Sequence, residues 1–447
     1  MAPRAKHLSS GRRSLGLIRG LRGRRGGVDA LAKRSVGVTS ISGGLLRSRA
    51  MYATLIIVVA VLLAGTGFQL TRSVPRPSVQ AALPASVRVP GSPPTLPWPA
   101  TGEEAVGVEG IGVIATHGGN SPTPLASLVK MMTALVVLQD HPLGATSEGP
   151  TITITASDVV AYQLDLLTQQ SVVKVAAGET LTERQALEAM LIPSANNIAA
   201  ILASWDAGTE SAFVAKMNAE AAKLGMTHTH YASASGLNPN SVSTAADQLK
   251  LVETAMSEPA FANIVAEPQV TLPVAGLQYN INALVTHNGI IGVKTGFTPQ
   301  AGGCFAFAAQ RSSGGHSFTV VGVVLGQQVG LSLLTTALDA GNALADAVGK
   351  AVSAVAVVPP GTTVATIHYQ WGPTLPVVTS DPLTLLGWPG LRVRSHLAIK
   401  YPSKGWTTHH EIIGRLRLSK GKQAVSSPLE VRDASPTPSI TWRLLRP

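Results

Sequence analysis

In the stretch PLASLVKMMTALVVLQD, residues 124–140, two residues could do chemistry together: Ser127 offers a hydroxyl, and Lys130 offers an amine set among Leu128, Val129, Met131, Met132 and Leu135. A serine hydroxyl is a weak nucleophile until a base within hydrogen-bond reach takes its proton. Positions i and i+3 of a helix share a face, so these side chains meet if the stretch is helical. Apolar surroundings disfavour the charged amine and lower its pKa towards the range in which it accepts a proton. Pro124 suits a helix start, which puts Ser127 near N–H groups that stabilise developing negative charge. The spacing therefore predicts a nucleophile and its base.

Taken alone the spacing is weak, since it occurs about once by chance in a chain this long. Ser171 and Lys174 in SVVKVAAGET repeat it, but β-branched residues and nearby Gly178 predict a strand there, with the two side chains on opposite faces. Two further triplets downstream add specificity. Ser194-Ala195-Asn196 falls at a break between helices marked by Pro193, and Lys294-Thr295-Gly296 lies in a run read as a strand.

The elements that must position these residues follow from the pattern. AVGVEGIGVIATHGG reads as two strands joined by a tight turn, followed by the Lys130 helix. LTERQALEAMLIPSANNIAAILASW reads as two helices, with Leu187, Met190 and Leu191 on one face and Arg184–Glu188 as a solvated i,i+4 pair. Amphipathic helices are expected over 208–224 and 330–349, and GVKTGFT, GGCFAFAAQ and FTVVGVVLGQQ as three strands. Strands first, helices in the middle, then strands and a helix predict an α+β domain over 101–350, an antiparallel sheet with a helical block. Residues 351–447 have many short β-type runs and read as a small all-β domain.

The formal charge of +11 is unevenly spread. Residues 1–50 hold twelve Lys and Arg against Asp29 alone, enough to account for the whole excess. Residues 51–349 hold eleven basic and nineteen acidic groups, which leaves no surplus for a nucleic acid; from 350 onward twelve face four. The apolar run 51–71 is long enough to span a bilayer as a helix, and the flanking charge predicts a cytoplasmic N-terminus and an extracytoplasmic remainder. Residues 1–50 are expected to be a disordered tail. A cleaved signal peptide is the rival reading, but a basic leader of about fifty residues is far beyond the usual length. Residues 72–100, rich in Pro and Ser, read as an extended linker. Cys304 is the sole cysteine, so no internal disulfide forms and a core role is expected. His228 and His230 lack a third ligand nearby, and neither metal nor organic cofactor is expected.

The ordered set S-x-x-K, Ser-x-Asn and Lys-Thr-Gly is that of penicillin-binding proteins and class A β-lactamases. With SLVKMMTA, LGMTHTHYASASGLN and GVKTGFTPQAGGCFAFAA, the chain resembles the low-molecular-mass penicillin-binding proteins of the D-alanyl-D-alanine carboxypeptidase family over residues 101–350. The resemblance implies a five-stranded sheet with the site between sheet and helical block, followed by a β-rich domain. It implies removal of the terminal D-alanine from peptidoglycan stem pentapeptides, and covalent inhibition by β-lactams. Ser127 would be the acylated nucleophile, Lys130 its base, Ser194 the proton relay to the leaving D-alanine, and Asn196 the group holding Lys130 and the substrate amide. Lys294 and Thr295 would bind the terminal carboxylate, Gly296 would leave room for the substrate backbone, and the N–H groups of Ser127 and Phe297 would form the oxyanion hole. Where some relatives carry an arginine near the site this chain has His287, expected to assist carboxylate binding. The second motif also departs from the family pattern, with Asn197 and Ile198 after Asn196.

Two other readings use the same residues. A class A β-lactamase needs a glutamate to activate the deacylating water, and its E-x-x-L-N segment is missing here, so β-lactams should acylate Ser127 and leave slowly. A catalytically silent wall-binding protein has no need of three intact triplets.

Overall fold

The computed structural model describes residues 43–372, 374–400, 407–435 and 437–446, and the chain divides after residue 72 into two compact units. The first holds one helix, Gly43–Thr71. Its Ser48–Thr71 portion, 24 residues of mean hydropathy 2.2, is long and apolar enough to cross a bilayer. The hydroxyls of Thr54, Thr66 and Thr71 donate to carbonyls one turn back, so these polar groups are satisfied within the helix. Residues 43–50, expected in a disordered tail, are helical; residues 1–42 of that tail lie outside the described residues.

The second unit is built on a five-stranded antiparallel sheet in the spatial order Ile290–Thr298, Gly302–Ser313, His316–Gln327, Glu103–Val108, Gly112–His117. The period-2 alternation decides its faces. Along Gly302–Ser313, Cys304, Ala306 and Ala308 join the core under the helical block, while Phe305, Phe307 and Ala309 join the core under helix Leu333–Ala351. A Cβ at Gly341 of that helix would meet the Phe305 ring at 2.5 Å, so close packing here requires glycine. Helix Val129–Asp140 is buried along 129–138, as expected of a helix apolar all round. Four of the surrounding helices start on threonine caps, Thr155, Thr182, Thr209 and Thr244, with full capping boxes at Thr155/Asp158 and Thr182/Gln185. Helices Glu183–Leu191 and Asn196–Ala207 flank the break at Pro193. The Arg184–Glu188 pair forms at 2.8 Å, but it is largely buried rather than solvated, and Arg184 also binds Glu267. Burial pushes the Glu188 carboxyl up to about 7, and the Glu267 charge adds to this against the opposing pull of Arg184.

The stretch 72–100 is not the free linker that its composition suggests. Ser78–Ala81 pairs with Thr363–His368, Ser86–Arg88 pairs with Arg392–Ile399, and Val89 and Leu96 are buried. These two short strands are opposite edges of a seven-stranded sheet that also contains Thr374–Thr379, Glu411–Lys420 and Gln423–Val431. Residues 82–85 carry the chain from one edge to the other: Ala82 and Leu83 donate to the Val364 carbonyl, while Ser395 donates to Ala85 and Pro84. The sheet therefore curls until its edges meet on one segment, which covers backbone groups that open edges would leave unpaired. Proline is tolerated because every proline of this stretch lies outside the two short edge strands, as Pro84 does between them. Residues 351–447 are β-rich with one short terminal helix, Ile440–Leu445. Among the described residues they share a core with the preceding domain: Val357, Leu385 and Trp388 belong to the cluster that includes Leu344, Val348 and Phe307.

Candidate active site

Ser127 lies in a 3-10 turn, Ala126–Leu128, directly ahead of helix Val129–Asp140, so the helix begins later than Pro124 predicts. The pairing survives because residues three apart also align in a 3-10 turn. Lys130 is fully buried, and its Nζ has three polar neighbours: Ser127 Oγ at 2.9 Å, Asn196 Oδ1 at 2.7 Å and the Ser235 carbonyl at 2.8 Å. Two of these can only accept. A neutral amine has two N–H groups and one lone pair. With the N–H groups donated to Asn196 and Ser235, the lone pair is left for the Ser127 hydroxyl. The Asn196 amide is held in that orientation by its Nδ2, which donates to Gln170 Oε1 at 3.0 Å.

Electrostatics favour the same protonation state. Burial, and then the charge of Lys294, hold the Lys130 amine well below the usual lysine range. Lys294 is also buried, and desolvation lowers it to about 7. Its Nζ donates to Ser194 Oγ at 2.9 Å and to the Thr295 carbonyl at 3.0 Å. Two ammonium groups in one buried site resist joint protonation, so the charge on Lys294 disfavours a second charge on Lys130.

The backbone is strained where the motifs converge. Ala126 (φ 48°), just before the nucleophile, and Ser194 (φ 66°) both adopt left-handed conformations that non-glycine residues rarely hold, at about 1–3 kcal/mol each. Ile290–Thr298 is an edge strand, so part of its backbone faces away from the sheet. In register, Lys294 pairs with Ala306 and Gly296 with Cys304, on the face towards the helical block. A Cβ at Gly296 would lie 2.8 Å from the Ser127 backbone nitrogen, so strand and nucleophile turn are in direct contact. Thr295 is buried beside Lys294, and Phe297 is exposed. A groove of about 410 Å³ adjoins Asn196 and Ser235 and is lined also by Asp165, Gln170, Glu210 and Asn238.

The structure thus brings Ser127, Lys130, Ser194, Asn196, Lys294 and Gly296 to one cleft, with Phe297 next along the strand; Thr295 contributes its carbonyl to Lys294, while in register it pairs with Phe305 on the alternate face. His287 forms no hydrogen bond or ion pair with these residues: it is exposed in the turn before Ile290, with Nδ1 facing the Val285 carbonyl at 3.2 Å. Ser171 and Lys174 lie in an extended segment outside any strand, where the Ser171 carbonyl accepts from the Asn196 N–H at 2.7 Å. Cys304 is buried, its thiol pushed up to about 11 by desolvation. Sequence reasoning missed three contributors. The Ser235 carbonyl carries no side-chain signature, and Gln170 is distant in sequence. Gly236 has φ 83°, and a Cβ there would strike the Ala126 carbonyl oxygen at 1.9 Å. The glycine of ASASGLN was its available signal.

Comparison with known proteins agrees with this geometry. Residues 108–329 match the family model described as D-alanyl-D-alanine carboxypeptidase. The D-alanyl-D-alanine carboxypeptidase DacB2 of Mycobacterium tuberculosis is 36% identical over 234 residues, 51% of this chain and 76% of that protein. The D-alanyl-D-alanine carboxypeptidase of Streptomyces sp. strain K15 is 32% identical over 227 residues, 47% of this chain and 75% of that protein. The crystal structure of the Streptomyces K15 DD-transpeptidase aligns with a TM-score of 0.51 at 27% identity, over 57% of this chain and 99% of that one. A peptidoglycan synthesis regulatory factor (PBP3) from Streptococcus pneumoniae, 19% identical, shares the fold over 75% of this chain and 99% of its own with a TM-score of 0.54. Sequence likeness on this scale, over most of the length of two such enzymes, means that the chain belongs to the D-alanyl-D-alanine carboxypeptidase family of serine peptidases.

Proposed function

We propose that the chain removes the terminal D-alanine of peptidoglycan stem pentapeptides through an acyl-enzyme on Ser127. The observation that carries this reading is the set of three neighbours around Lys130 Nζ, which fits an uncharged amine whose lone pair faces the serine hydroxyl. Lys294 and Thr295 engage the substrate carboxylate, and the N–H groups of Ser127 and Phe297 hold the carbonyl oxygen. Lys130 takes the proton as Ser127 Oγ bonds to the penultimate carbonyl carbon. The C–N bond then breaks, and the departing amine takes a proton from Ser194, which Lys130 replaces. Water releases the acyl group with Lys130 again as base. The apolar helix anchors the enzyme in a membrane, with its N-terminus cytoplasmic and the catalytic unit outside. β-Lactams acylate the same serine.

The test is D-alanine release by the purified chain from a pentapeptide ending in D-Ala-D-Ala, together with labelling by a fluorescent penicillin. Both should vanish in Ser127→Ala. Release of D-alanine by that variant would refute the assignment, and rapid turnover of a chromogenic β-lactam by the wild type would favour the β-lactamase reading.

A further inference from the structure

The curled C-terminal sheet concentrates positive charge on one outward face. Arg88 on Ser86–Arg88, Arg392, Arg394 and His396 on Arg392–Ile399, and Arg415 and Arg417 on Glu411–Lys420 are all exposed. The register sets them side by side: Arg392 opposite Arg88, Arg394 opposite Ser419, His396 opposite Arg417, Ala398 opposite Arg415. Directly paired residues and their i,i+2 neighbours share a face, so five guanidinium groups lie on three adjacent strands, across about 10 Å. The intervening Val393, Leu416 and Leu418 are buried, and the core is complete without the arginines. Among the described residues none of the five forms an ion pair with a carboxylate; Arg415 donates only to Ser426 Oγ at 3.1 Å. Arg392 and Arg394 also line a hollow of about 470 Å³ with Ser86, Ser419 and Lys420.

Like charges on facing strands, as at Arg88 and Arg392, repel, and among the described residues no carboxylate pairs with them. Guanidinium forks match phosphate oxygens in pairs. We propose that this face docks on an anionic phospholipid surface, its arginines pairing with headgroup phosphates. Chain connectivity selects a membrane over a soluble polyanion. Only residues 72–77 separate the end of the apolar helix from Ser78, the first strand of this sheet, a reach of about 20 Å at full extension. The bilayer holding that helix is therefore the anionic surface met at the highest local concentration.

Residues 73–447, which form a compact unit with their own cores, permit a test without the helix. That fragment should sediment with vesicles of phosphatidylcholine containing one third phosphatidylglycerol, and not with phosphatidylcholine alone, with release by salt. Replacing Arg392, Arg394, Arg415 and Arg417 by Gln should weaken vesicle binding on the order of a thousandfold, with melting temperature and penicillin labelling unchanged. The matching Lys substitutions should retain most of it. In the full chain, a fluorophore on Ser86→Cys, an exposed position opposite Arg394 and the sole exposed thiol since Cys304 is buried, should be quenched by headgroup-labelled lipid in anionic but not zwitterionic nanodiscs. Equal binding to both vesicle types, or undiminished binding by a folded Gln variant, would overturn the proposal. So would binding to soluble polyphosphate with none to anionic vesicles, which would assign the face to a dissolved polyanion.

Discussion

Gly296→Ala tests whether the Lys-Thr-Gly strand and the nucleophile turn act as one unit. The backbone of Gly296 is not in a positive-φ conformation, so alanine introduces no intrinsic backbone strain, only a methyl group. That carbon would sit 2.8 Å from the Ser127 nitrogen, 3.2 Å from Ala126 Cβ and 3.3 Å from Leu128 Cδ1. An ordinary contact needs at least 3.4 Å, so one backbone segment must retreat from the other by about 0.6 Å. The retreat moves one proposed oxyanion donor away from the other. Losing such a donor costs about 100- to 1000-fold, and a 1 Å misplacement about a hundredfold. We expect acylation slower by about 30- to 300-fold, roughly 2–3 kcal/mol on the barrier, against a stability loss of about 1–3 kcal/mol from overpacking. The assay is the second-order rate of labelling by a fluorescent penicillin, read beside a thermal melt, with Ser127→Ala as the blank. A folded Gly296→Ala variant labelled within threefold of the wild-type rate would refute the reasoning.

Three further predictions follow from charge and topology. Because burial lowers Lys294 from 10.5 to about 7, its charge is lost as pH rises past that point in the empty site; kcat/KM for a carboxylate-ended peptide should fall across that range, and Lys294→Arg, which stays charged, should remove the limb. Burial raises Glu183 to about 7, and its Oε1 has no partner. Between pH 4.5 and 7 the folded state binds a proton that the unfolded state has lost, so this group's destabilisation grows as pH rises through that window; Glu183→Gln should stabilise by on the order of 2 kcal/mol at pH 8 in denaturant titrations and by less at pH 5. A chain starting at residue 101 removes both edge strands of the curled sheet and should aggregate during light scattering at concentrations where 73–447 stays monomeric.

The reaction centre was legible because its spacing is local. Ser127 and Lys130 meet by helical geometry whether the turn between them is α or 3-10, and Lys294 and Gly296 share a strand face by period two. Ser194 stood out by its place at a helix break. What could not be read were contributions without a side-chain identity or without local partners. The Ser235 carbonyl is a backbone atom, and Gln170 meets Asn196 only after the helical block forms. Proline and serine gave 72–100 the look of a spacer, because composition reports a segment's own preference and not the two sheet edges waiting for it roughly 290 positions later. His287 shows the converse: its type and nearness in sequence to Lys294 suggested a role, yet its ring faces the Val285 carbonyl of its own turn.

The segment that seals the curled sheet also imposes an order of assembly. Val79 faces Ile367 and Val87 faces Val393, so each is made long before the residue it will lie against. At about 5–20 residues per second that gap lasts some 15 to 60 seconds, during which the strand has nowhere to dock. The peptidase domain is in effect an insertion within a barrel that can close only once both ends of the chain have arrived. A chain released early would leave the barrel gaping, an apolar flag by which an incomplete enzyme could be recognised and destroyed.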